Sequence, residues 1–184
     1  MTPLRALTLL FAVVPVLVSN GLPVPPRPVP PRAERGKADA PCRPGERGPA
    51  VRVTIAGIKD GKGMLRLELY PANDTDFLAP DKVLIAAGKP FRRIDHTGFG
   101  TGSSVLCIRA PEAGTYALSV LHDRDGDGKF GFLGDGVGFS RNPKLSRSKP
   151  KASSVSLRVG PGIEEARIIM NYRRGLGFGP VGKS

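Results

Sequence analysis

The sequence has no tryptophan, only two cysteines and two histidines, and aromatic residues make up just 6% of it. Two cysteines exclude a disulfide-dense miniprotein and a four-cysteine zinc site. His96 and His122 stand too far apart for the usual zinc spacings, which leaves a histidine-centred metal site as the lesser reading beside ordinary packing. Acidic residues are also scarce, 16 against 28 Lys and Arg, for a formal net charge of +12. No segment keeps a long 3.6-residue apolar period, which disfavours a helical bundle and a βαβ architecture. The nucleophile-elbow pattern, the dinucleotide fingerprint and paired-cysteine metal spacings are all missing, so catalysis has no positive support.

What the sequence does have is glycine, 24 residues, and proline, 19. That much punctuation suits short strands joined by turns. The ends read as appendages. Residues 6–18 are apolar apart from Thr8 and Pro15, follow Arg5, and lead into Ser19-Asn20-Gly21. This is the layout of a secretory signal over residues 1–21, and the run is shorter than the ~20 apolar residues of a membrane span. The expected address is therefore secreted or periplasmic, with no transmembrane helix after signal removal. In such a compartment Cys42 and Cys107 are expected to pair. Residues 22–50 hold nine of the prolines and read as a semi-rigid, polyproline-like linker. Residues 173–184 form a Gly-rich basic tail, expected to be disordered.

Residues 51–172 form the expected domain. Val51, Val53 and Ile55 alternate with polar residues, as do Leu65, Leu67 and Leu69. With the turn at 59–63 between them, the two runs predict a β-hairpin. Residues 91–96, 104–109, 115–121, 154–159 and 163–172 are further strands. Tyr116, Leu118 and Val120 share one face, and Ala166, Ile168, Met170 and Tyr172 share another. Residues 71–80 and 123–151 read as irregular. The pattern predicts an all-β fold, an antiparallel β-sandwich of about seven strands.

Chemistry concentrates after residue 122. Asp123-Arg-Asp125-Gly-Asp127-Gly places three carboxylates at alternate positions before a bend glycine, as an EF-hand-type loop begins. The Lys129 backbone carbonyl would be the next ligand. The bidentate Glu position holds Gly134, with Asp135 one residue later. Two readings stand: a Ca²⁺ site at Asp123, Asp125, Asp127, Lys129 and Asp135, or a metal-free polar turn. A second feature is the basic run Arg141, Lys144, Arg147, Lys149 and Lys151. It could touch a polyanion such as acidic headgroups, or serve only solubility. Without interleaved aromatics it predicts no sequence-specific nucleic-acid binding. A hydrolase using His122 and Asp123 is the remaining alternative to a non-enzymatic binding or structural module with an unknown envelope partner.

The run from Pro111 through Gly114-Thr-Tyr116 to His122-Asp123-Arg-Asp125-Gly-Asp127-Gly-Lys129 resembles the bacterial family termed domain of unknown function 2141. Gly136-Val-Gly138-Phe139-Ser140-Arg-Asn142 and the opening runs at 51–57 and 63–70 fit the same family. The resemblance spans residues 51–172 and implies an exported sandwich, immunoglobulin- or transthyretin-like and akin to carboxypeptidase regulatory modules. It implies no activity and carries over no catalytic residue.

Overall fold

A computed structural model describes residues 36–146 and 148–181. The predicted signal at 1–21, the first part of the predicted linker, Arg147 and the last three residues lie outside the described residues. Ten strands follow in order: β1 Ala50–Ile58, β2 Met64–Pro71, β3 Arg92–His96, β4 Gly102–Arg109, β5 Gly114–Asp123, β6 Gly136–Phe139, β7 Ser156–Val159, β8 Ile163–Ile169, β9 Asn171–Arg174 and β10 Gly177–Pro180. Two short helices, α1 (Asp81–Ala86) and α2 (Ala152–Val155), interrupt them.

The strands make two layers, one ordered β4-β1-β8 and the other β10-β9-β6-β5-β2-β3, with β7 also on β5. All pairs are antiparallel except β1 with β8, which run parallel. The alternating residues read from the sequence are what joins the layers. Val51, Val53, Ile55, Ile108 and Ile168 of one sheet meet Leu65, Leu67, Leu69, Leu118 and Val120 of the other in a single buried cluster. A side-chain period of two puts such residues on one face, and burying that face drives the stacking.

The expected hairpin of β1 and β2 does not form. β1 pairs with β4 and β8, whereas β2 pairs with β3 and β5, so residues 59–63 cross from one sheet to the other. The two apolar faces meet across the core instead of lying side by side in one ladder. Gly63 sits in this crossover at φ 67°, and a Cβ there would lie 1.9 Å from the Asp123 carbonyl oxygen. Only glycine permits that approach.

The expected strand at 163–172 is two strands. β8 belongs to the first sheet, the Met170 amide still donates to the Ala56 carbonyl, and β9 then joins β6 in the second sheet. Its inward face keeps the predicted phase, since Ile168, Met170 and Tyr172 belong to the central cluster and half-buried Ala166 packs against it. Pairing also continues past Tyr172, where the sequence suggested a disordered tail: Arg173 and Arg174 finish β9, and Gly177–Pro180 pair back on it. Nor does the linker reach residue 50. Ala40 is fully buried in the core, and Cys42 is disulfide-bonded to Cys107 of β4.

The larger sheet is covered on its outer side too. Residues 71–91, with α1, and residues 137–155, with α2, lay Phe77, Leu84, Phe91, Phe139 and Val155 over Tyr70 and Ala117. Glu68, which alternation would send to solvent, is therefore buried. Arg93 donates to it through Nε at 2.7 Å, and the Tyr70 hydroxyl does so at 2.6 Å. The arginine compensates a charge that would otherwise be costly at that depth.

Candidate functional site

The predicted acidic loop joins β5 to β6, which are ladder neighbours. Asp123 ends β5 and Asp135 precedes β6, so the ladder brings the two loop ends together. Both residues are buried, and each carboxylate clasps the loop between them. Asp123 accepts from the Gly126 and Gly128 amides at 2.8 and 2.9 Å. Asp135 accepts from the Arg124 and Gly131 amides at 2.9 and 2.7 Å. Gly126, at φ 76°, supplies the left-handed bend that the spacing anticipated.

Asp123, Asp125 and Asp135 each place a carboxylate oxygen within 4.8 Å of the others. Asp125 is exposed and the other two are not. One predicted carboxylate, Asp127, stands outside this cluster. Asp127 is exposed, and its Oδ1 accepts from the Lys129 amide, the one hydrogen bond found for Lys129. The nearby cations are engaged elsewhere. Arg124 pairs with Asp60 and donates to the Gly134 carbonyl, and Arg66 pairs with Asp95 and donates to the Gly128 carbonyl. The Arg124 guanidinium holds the Asp60 carboxyl down at about 2. Among the described residues no cationic side chain bridges to Asp123, Asp125 or Asp135.

His122 and Asp123 are both fully buried. As neighbours in one strand they point to opposite sides of the sheet. His122 Nε2 lies 2.9 Å from the Lys62 carbonyl, which can only accept, so that nitrogen carries the proton. Nδ1, 2.7 Å from the Tyr172 hydroxyl, is then the acceptor. Burial pushes the imidazole pKa down and that of the Tyr172 phenol up to about 12. Both ring nitrogens are occupied, so neither is available to a substrate. His96 packs against Phe99, whose ring also contacts His122. The two histidines oppose the same residue, Leu65, from the strands on either side of it.

The basic run divides. Lys149 donates to the Asp74 and Phe77 carbonyls at 3.0 and 3.1 Å, so it fastens the loop over the sheet. Arg141 makes a long 3.5 Å contact to the Ser153 carbonyl. Lys144 and Lys151 are exposed, and Arg147 lies outside the described residues.

Sequence reasoning missed a cavity of about 360 Å³ on the outer side of the larger sheet. Its walls include Leu78, Phe130, Phe132, Phe139, Leu145 and Phe178. Phe130, Phe132 and Phe178 stand in Gly-rich stretches outside the predicted strands, where no core needs a phenylalanine. That placement was the available signal.

The family model for uncharacterised proteins conserved in bacteria, DUF2141, matches residues 53–166. The chain belongs to this family. The family segment runs from within β1 to within β8 and so includes the acidic loop and most of the cavity wall. It stops short of β9 and β10, which carry Tyr172 and Phe178. No curated protein and no solved structure matches the chain.

Proposed function

We propose that the protein is an exported, non-enzymatic binding or structural module of the bacterial envelope, and that its 123–135 loop holds Ca²⁺. One observation carries this reading: three carboxylates converge within 4.8 Å, two of them are buried, and among the described residues no cationic side chain is paired with any of them. Like charges at that separation and depth repel strongly, and a hard cation with oxygen ligands relieves the repulsion. Amide donors partly stabilise Asp123 and Asp135, which explains how the loop keeps its shape, and each carboxylate oxygen retains a further lone pair. The Cys42–Cys107 bond suits an oxidising compartment. The buried, fully bonded His122 supports a role in contact over one in turnover.

Extracellular modules of this type bind with Kd of ~10⁻⁴ to 10⁻³ M. Linkage then gives about 1.4–2.7 kcal/mol of stabilisation at roughly 10 mM calcium. For a body of this size that raises Tm by about 4–8 °C. Calorimetric titration should show one site, and exposed Asp125→Asn should remove both heat and Tm shift while leaving the fold intact. An unchanged Tm across that calcium range would refute the reading.

A further inference from the structure

The cavity on the outer sheet face has the dimensions of a ligand site, which typically run from roughly 300 to 1,000 Å³. Its aromatic wall comes from two distant segments. Phe178 of β10 packs against Phe130 and Phe132 of the acidic loop, with ring centroids 5.7 and 5.1 Å apart. Of the seven large apolar side chains exposed among the described residues, five lie in these same two segments: Phe130, Phe132, Leu133, Leu176 and Val181. Phe130 and Phe132 line the cavity itself, and contiguous apolar exposure of this kind marks a binding surface in a way that scattered exposure does not.

The uncompensated charge lining the cavity is positive. Glu68 at its floor is already neutralised by Arg93 and takes the Tyr70 hydroxyl, so it presents no free negative charge. Ser119 beside it has only a 3.5 Å contact to Glu68. Lys149 lines the rim, and its ammonium donates to two neutral carbonyls, leaving one N–H unspent and its positive charge without a carboxylate partner among the described residues. Arg141, Lys144 and Lys151 are likewise without one among the described residues, in the same loop that supplies Leu145, Ser146 and Ser148 to the lining. An apolar interior beside a single lysine with one free donor complements a chain-like molecule bearing one negative charge.

We propose that this cavity binds a free long-chain carboxylate, with the acyl chain among Phe130, Phe132, Phe139 and Phe178 and the carboxylate at the Lys149 ammonium. The proposal uses different side chains from the calcium reading, phenylalanines and Lys149 instead of carboxylates, although Phe130 and Phe132 flank Gly131, whose amide donates to Asp135.

The test is calorimetric titration of the full chain with sodium decanoate in calcium-free buffer, where no calcium soap forms. Decanol and decyltrimethylammonium serve as neutral and cationic counterparts, and phosphatidylglycerol vesicles as an anionic surface. Decanoate should bind one to one, about tenfold tighter than decanol, and the cation should not bind. Lys149→Gln should weaken decanoate about tenfold and leave decanol unchanged. Phe132→Asp, at a ring that is 44% exposed and dispensable to the core, should abolish both without lowering Tm. Equal affinities for decanoate and decanol would overturn the proposal. So would binding that survives Phe132→Asp, or binding confined to vesicles, which would mark a surface effect of the basic loop. Because calcium is absent throughout, failure here leaves the Asp125 titration unaffected.

Discussion

Removing the disulfide should cost the protein a large part of its stability. Cys42 and Cys107 are 65 residues apart, and the Cys42 amide also donates to the Cys107 carbonyl at 3.1 Å. In the loop-entropy model a closure of that length withholds about 4 kcal/mol of conformational freedom from the unfolded chain. The native body has about 145 described residues, for which each kcal/mol moves Tm by about 3 °C. The Cys42→Ala/Cys107→Ala double variant should therefore melt about 12 °C lower by scanning calorimetry. Both sulfur positions are only half-buried, so little of that drop comes from lost packing. The variant's denaturant m-value should rise, because an unlinked unfolded chain exposes more surface. A drop of less than about 4 °C would refute the reasoning, and would mean that the entry segment peels away from the native sheet once released. Hydrogen exchange at the Arg109 amide, which donates to the Ala40 carbonyl at 2.7 Å, would report such peeling directly.

Further outcomes follow from the ionisable groups behind the acidic loop. Asp60 has its pKa lowered from 3.8 to about 2, so its contribution to stability is complete above the unfolded value and disappears as pH falls through the folded one. Stability should drop between about pH 4 and pH 2, and Asp60→Asn should flatten that part of the curve in urea titrations; an unchanged slope would contradict the Arg124 pairing. His122 is also held below its ordinary 6.5, here because burial disfavours the charged ring, so stability should decline as pH falls below 6.5. Tyr172→Phe removes the donor to Nδ1 and the acceptor for the Lys59 amide, and should cost about 1–3 kcal/mol in denaturant melts. In that variant the His122 pKa, followed by NMR, should rise toward 6.5, because the neutral ring has lost a hydrogen bond; no movement would show that Nδ1 is not the acceptor.

The strands of this fold were legible where side chains alternate. Val51-Val53-Ile55, Leu65-Leu67-Leu69 and Tyr116-Leu118-Val120 were assigned to the correct faces, and all reach the central cluster. Alternation says which side of a strand is buried. It does not say whether two strands bury that side next to each other or opposite each other, and β1 and β2 do the latter. β6 escaped notice because Gly136-Val-Gly-Phe139 offers too short an apolar pattern, although β5 pairs along its whole length. The acidic loop was visible from its Asp spacing, and Asp135, one residue past the expected position, lies beside Asp123 and Asp125. The sequence could not show that Asp127 turns away, since that depends on which amides lie within reach. The cavity was hidden for a different reason: its lining comes from short, scattered segments, the first and last of them, Glu68 and Phe178, 110 positions apart.

The entry segment does more than approach the domain. The Gly36 carbonyl accepts from the Arg93 amide on β3, the last strand of the larger sheet. Five residues on, Pro41 bridges to Ile108 on β4, the last strand of the smaller one. A single short stretch thus hems both layers along the same flank, occupying backbone groups that would otherwise recruit a strand from another molecule. A chain cut back to the family segment would be left with two raw margins there, and its first failure would be self-association.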